Sequence, residues 1–143
     1  GDYAIMATFD DLLTIANVHL VSGRAGEQRR RQQLGRVAQA SPTAALLIVG
    51  DTNMRVSETA GFDRLRSPSP PAPTWDSRTN RFRADAPTFT AYFTRWFATP
   101  EVEVSHVAVL RDAVRTRGAT FHLSDHYALT GVVGTRTPER QAE

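Results

Sequence analysis

The segment Ala44-Ala45-Leu46-Leu47-Ile48-Val49 is a continuous apolar run of strand length that stops at Gly50-Asp51-Thr52-Asn53. A run of this kind reads as a strand buried on both faces of a sheet, so the chain must fold in layers. The strand delivers a carboxylate and a carboxamide two positions apart, and residues two apart on extended backbone point the same way. Two more polar clusters sit beside apolar runs: Asn17-Val18-His19-Leu20 and Ser124-Asp125-His126. A buried sheet ending in Asp51 and Asn53, with an Asp-His pair arriving from elsewhere, is what metal-assisted attack on a phosphate needs.

The elements around this strand set its neighbours. Residues 3–9 and 12–20 read as strands joined by a tight turn at Asp10-Asp11. Residues 26–40 read as a helix with a narrow apolar stripe of Leu34, Val37 and Ala38, while Glu27, Arg29, Arg30, Arg31 and Arg36 occupy a solvated face. Ser41-Pro42 ends it. Strand, helix and strand in succession predict a right-handed parallel crossover in a mixed sheet. Residues 67–73 form a proline-rich surface loop, and 88–98 and 102–110 read as an antiparallel pair turned at Thr99-Pro100. The last strand is 127–133, so the domain is expected over 1–134 and a disordered tail over 135–143. Several strands with one covering helix leave a face or an edge open, which implies that part of the domain is missing, at the N-terminal side.

Length allows one domain. The chain lacks cysteine, so a metal would be held by oxygen or imidazole. It has no apolar run of membrane-spanning length and no signal-peptide start, and a cytoplasmic location is the expectation. All 17 basic residues are arginine. Arginine grips phosphate with a planar fork, which suits a polyanionic partner, although GC-rich coding produces the same bias. Only arginines beside the polar clusters are therefore promoted.

The ordered set Asn17-Val18-His19-Leu20, Gly50-Asp51-Thr52-Asn53-Met54-Arg55, Thr74-Trp75-Asp76 and Ser124-Asp125-His126 resembles the endonuclease/exonuclease/phosphatase superfamily of metal-dependent phosphoesterases. Ser22, Arg24, Arg30, Gln33, Glu58 and Asn80 extend the match and bring it closest to the tyrosyl-DNA phosphodiesterase 2 branch. The resemblance covers residues 13–133 and corresponds to the C-terminal half of the family domain. It implies an α/β (α+β) fold, a partial four-layer sandwich of mixed sheets whose N-terminal half is missing. That half carries the family's asparagine and its principal magnesium-ligating glutamate. The implied activity is metal-dependent phosphodiester hydrolysis on nucleic acid by activated water, in a DNA-repair setting. Sphingomyelinase-like or inositol phosphatase-like siblings, and an inactive phosphate-binding module, are the competing functions.

By the same resemblance Asp51 would activate the water, Asn53 would hold phosphate and nucleophile, and His126 would face the scissile phosphate. Asp125 and Asp51 would approach the magnesium or manganese cofactor, and His19 would lie near the phosphate. Ser22, Arg24, Arg55 and Trp75 would line the substrate groove. Asn17 reads as structural, His106 and His122 as surface residues, and the run Arg29-Arg30-Arg31 as a solvated helix face. One departure stands out. The family's histidine-orienting aspartate falls at Thr94 within Tyr92-Phe93-Thr94-Arg95-Trp96-Phe97, and threonine can hydrogen-bond an imidazole but cannot stabilise imidazolium by charge.

Overall fold

The computed structural model describes residues 2–80, 82 and 87–136. The chain opens with two antiparallel strands, β1 (Tyr3–Phe9) and β2 (Leu13–His19). They turn through Asp10 and Asp11, both left-handed at φ 49° and 54°, and the Leu12 amide closes the turn on the Phe9 carbonyl at 2.9 Å. Aspartate tolerates this backbone better than most residues. A short 3-10 turn at Arg24–Gly26 leads into helix α1 (Glu27–Ala40), which returns the chain to β3 (Ala45–Asp51), parallel to β2. Next come β4 (Trp75–Asp76), β5 (Thr90–Ala91), β6 (Thr94–Ala98), β7 (Val102–Leu110), β8 (Val114–Thr116), β9 (Ala119–Phe121) and β10 (Ala128–Thr135).

The main sheet has the order β1-β2-β3-β6, with the expected mixture of parallel and antiparallel pairs. One face packs on α1, where Ala16, Leu34, Ile48, Met54 and Phe97 are fully buried. The opposite face packs on a two-stranded ribbon of β7 and β10, through Ala45, Leu47, Trp96, Ala98 and Val102. This two-sided burial explains the unbroken apolar run of β3. Leu46 and Ile48 serve the helix side, while Ala45, Leu47 and Val49 serve the ribbon side.

The expected hairpin between 88–98 and 102–110 does not form. β6 pairs with β3, and after a turn closed by the Val102 amide on the Thr99 carbonyl the chain changes layer, so that β7 pairs with β10. Arg95, Trp96 and Phe97 are buried on both faces of β6, which only a place inside the main sheet satisfies. The segment 88–98 is also interrupted, with β5 pairing separately with β4. β10 continues to Thr135, still paired with Val102, so the last strand outruns its expected end; residues beyond 136 lie outside those described.

The arginine run on α1 is a second correction. Arg29 is solvated and meets Asp2 at 3.0 Å, but Arg30 is 1% exposed and grips Glu58 through Nε and Nη2, both at 2.9 Å. Its Nη1 donates to the Val21 and Gly23 carbonyls. Arg31 donates to the Glu58, Ala60 and Gly61 carbonyls and lies 4.5 Å over the Phe62 ring. Two of the three arginines therefore fasten the loop after β3 onto the helix, a bidentate use that lysine could not reproduce. Among the described residues no helix is long and apolar enough to cross a membrane.

Candidate functional site

Four strands place one residue each on a single rung at the end of the main sheet. Tyr3 pairs with His19, His19 with Asp51, and Asp51 with Thr94. Neighbours on a rung share a face. Their common face is the ribbon side, because Leu13, Ile15, Leu47, Val49, Trp96 and Ala98 follow the same alternation. His19 Nε2 lies 3.6 Å from Asp51 Oδ2, and the Tyr3 ring meets the His19 ring edge to face at 5.8 Å. The histidine is thus set between an aromatic neighbour and a carboxylate.

The loop after β3 is shaped by two left-handed residues. Gly50 has φ 128°, and a Cβ there would lie 2.2 Å from the Val18 carbonyl oxygen, so no other residue fits without moving β2. Asn53 has φ 51°, so it reaches the site through a turn rather than along the strand. Asp51 Oδ1 accepts the Asn53 amide at 2.9 Å, and Asn53 Nδ2 donates to the Leu20 carbonyl at 2.9 Å. One amide hydrogen of Asn53 therefore braces the loop, and the second hydrogen and Oδ1 remain for a ligand. Thr52 secures the other side, donating through both its backbone amide and its hydroxyl to the Phe93 carbonyl.

His126 arrives from the ribbon layer. Its Nε2 lies 3.4 Å from Asp51 Oδ2, so one carboxylate oxygen faces both imidazoles. Its Nδ1 is 2.9 Å from Thr94 Oγ1. A ring protonated on Nε2, toward the carboxylate, would receive the threonine hydroxyl at Nδ1. Ser124 Oγ accepts the His126 amide at 3.1 Å, and the Ser124 carbonyl accepts from Asn80 Nδ2 at 2.9 Å. Trp75 pairs with His126 through an isolated bridge, and their rings meet edge to face at 5.1 Å. Phe89 stacks on Trp75 at 5.6 Å, and Phe93 completes an aromatic wall.

A cavity of about 550 Å³ gathers His19, Asp51, Asn53, Asp125, His126, Ser22 and Trp75 into one lining. Arg24 and Arg55 fall in an adjoining cavity of about 640 Å³ that shares Asn53, Phe89 and Phe93 with it. Tyr3, Phe89 and Phe93 are lining residues that sequence reading passed over, and Asn17, read as structural, lines the site as well. His106 is exposed as expected, whereas His122 is half-buried, its ring 5.8 Å from that of Tyr127.

Beneath the loop, Arg95 is fully buried on the helix side with Nε donating to the Tyr92 carbonyl at 2.9 Å. Burial lowers its pKa from the ordinary value, and Glu58 opposes the shift. Among the described residues no cluster of three or more His, Asp or Glu side chains is arranged to hold a metal ion. Asp51 and Asp125 are the carboxylates of the cavity, two donors where magnesium takes near-octahedral oxygen coordination. Asp51 is moreover shared by two histidines. The donor set on this chain does not by itself fit the ion.

No family model matches the chain, and no curated protein matches it. Solved structures do. The chain aligns with D. rerio TDP2, a structure complexed with a single-strand DNA product, at TM-score 0.71 and 23% identity, over 92% of this chain and 60% of that one. A truncated Caenorhabditis elegans TDP2 aligns at TM-score 0.65 and 21% identity, over 90% and 57%. An endonuclease/exonuclease/phosphatase family protein from Bacteroides thetaiotaomicron aligns at TM-score 0.53 and 15% identity, over 83% and 48%. The fold is that of the endonuclease/exonuclease/phosphatase proteins, and the chain spans about half to three fifths of their length, a partial domain.

Proposed function

We propose that this chain carries the water-activating and phosphate-facing part of a metal-dependent phosphodiesterase that acts on nucleic acid. The observation that carries the reading is Asp51 Oδ2 lying 3.6 and 3.4 Å from the Nε2 atoms of His19 and His126, with Asn53 on the same cavity wall. A phosphate seated there would accept hydrogen bonds from the two imidazole Nε2 groups and from the second Asn53 amide hydrogen. Asp51, freed from the histidines by that exchange, would accept the proton of an attacking water. Trp75 and Ser22 would bound the substrate, and Arg24 and Arg55 would neutralise backbone charge beside it.

Magnesium or manganese would supply charge neutralisation at the phosphate only if further ligands joined those of this chain. Asp51 and Asp125 would furnish part of its coordination, and the remaining ligands would come from outside these residues. The single-strand DNA in the D. rerio TDP2 structure supports a nucleic-acid substrate over a sphingolipid or inositol phosphate.

Cleavage of a single-stranded oligonucleotide in magnesium, measured for the natural protein beside Asp51→Asn and His126→Ala, tests the reading. Each change should lower the rate by ~100-fold or more. Undiminished cleavage in both variants would reject it. The two-carboxylate donor set favours a second reading, phosphate binding without hydrolysis, and tight single-site magnesium binding in calorimetry would exclude that one.

A further inference from the structure

The β7–β10 ladder ends at the pair Leu110 and Ala128, so residues 111–127 form an excursion from that end of the ribbon. His126 stands two residues before Ala128, which puts the excursion and the site at the same end of the molecule. Its root is tied down. The Tyr127 amide donates to the Thr74 carbonyl at 2.8 Å, and Arg111 donates to the Pro73 carbonyl at 3.3 Å and lies 5.2 Å over the Tyr127 ring. Beyond the root, β8 and β9 pair with each other through Gly118 at φ 101°, and every residue from Arg115 to Phe121 is exposed. Among the described residues this hairpin is exposed over most of its length, and an exposed two-stranded hairpin contributes little to stability.

Its charge is of one sign. Residues 113–123 contain Arg115 and Arg117 and no acidic residue. Other arginines are consumed by the fold, among them Arg30 with Glu58, Arg31 with three carbonyls and Arg64 with Glu101, whereas Arg24 and Arg55 line the cavity beside the site. Among the described residues neither Arg115 nor Arg117 pairs with a carboxylate. They lie two apart toward a tip that three-residue strands carry ~10 Å from the root. Arg24 precedes α1 and enters the site region from the helix layer, whereas the hairpin leaves from the ribbon layer.

We propose that the β8–β9 hairpin is a second phosphate-contacting arm, in which Arg115 and Arg117 neutralise backbone phosphates of a nucleic-acid strand on the ribbon side of the scissile bond, across from Arg24 and Arg55. The proposal rests on the nucleic-acid reading above and adds a longer footprint to it. The exposed apolar residues Phe121 and Leu123 also suit a lipid surface. They lie toward the root, however, and the tip is Arg117-Gly118, which matches a polyanion better than a hydrocarbon layer.

The test is the salt dependence of binding. A fluorescent single-stranded oligonucleotide is titrated with the natural protein and with the double variant Arg115→Ser/Arg117→Ser at several salt concentrations, with thermal melting of both as a folding control. Each lost phosphate contact lowers the slope of log K against log salt by ~0.7, so the double variant should lose ~1.4 at unchanged melting temperature. Affinity for a dinucleotide, too short to reach the tip, should be the same in both. An unchanged slope overturns the arm and leaves the site reading intact. Failure of the natural protein to bind the oligonucleotide at all defeats the nucleic-acid reading, and the arm with it. Binding to phosphatidylserine vesicles in place of oligonucleotide, abolished by the double variant, assigns the hairpin to lipid and overturns the proposal.

Discussion

The two faces of the β1-β2-β3-β6 sheet are finished to different degrees. On the helix side, Leu34, Ile48 and Phe97 have no exposed surface, and the Arg30–Glu58 pair locks the following loop under the helix. On the ribbon side, the covering strands stand over an open cavity of about 430 Å³, and Ile15, Val49, Leu129 and Val133 are only partly buried. β1, at the sheet edge, leaves Tyr3, Ile5 and Phe9 about half exposed or more. This chain completes one face by itself and leaves the other more open, in keeping with its covering 44–60% of the TDP2 structures. Stability should therefore reside on the helix side, and chemistry at the end of the ribbon side.

The hardest blow to that contrast would be a helix side that tolerates damage. Glu58→Ala leaves the Arg30 guanidinium buried and unpaired, and should cost about 3–5 kcal/mol in urea unfolding. A loss below about 1 kcal/mol would mean that the pair does not anchor this face. Next in size is a matched truncation. Leu34→Ala should cost about 3 kcal/mol, whereas Leu129→Ala, half-buried beside an open cavity, should cost about 1 kcal/mol. Equal losses would erase the distinction between the faces.

The smallest effect lies far from the site, at Glu101. A hydrogen bond from its own backbone lowers its carboxyl below the usual range; partial burial opposes this, and Thr99 and Arg64 add to the lowering. A lowered carboxyl stabilises the fold above its unfolded pKa, and that contribution disappears as pH falls through the folded value. Glu101→Gln should thus cost at most about 0.5 kcal/mol at neutral pH, in line with a surface pair, and nothing in strong acid. Stability curves for the two proteins that stay parallel from neutral to acid pH would refute the assignment.

Much of the architecture was legible because it is local. The continuous apolar stretch of β3 announces two-sided burial, and Gly50 to Asn53 announces a polar turn at its end, in a span short enough to read directly. The rung was not legible. A turn at Asp10-Asp11 alone would set Tyr3 opposite Val18, on the helix side; inclusion of Leu12 in the connection shifts the register by one and brings Tyr3 to His19. Arg30 was misread because its partner, Glu58, lies 28 residues further on, and an arginine on a helix usually faces water. The pairing of β6 with β3 escaped for the opposite reason, since proximity in sequence made a hairpin with β7 the natural guess. Thr94 is the position that the family resemblance singles out, and it stands at hydrogen-bonding distance from His126.

Because Tyr3, His19, Asp51 and Thr94 meet on one rung, the site keeps time with the reading of four separate strands. A codon inserted within β2, β3 or β6 would turn one of these side chains to the opposite face, however conservative the added residue. The proline-rich loop and the β8–β9 arm carry no such constraint. Descendants of this chain can therefore change length more freely between the strands than inside them, where the shared rung fixes which face each side chain occupies.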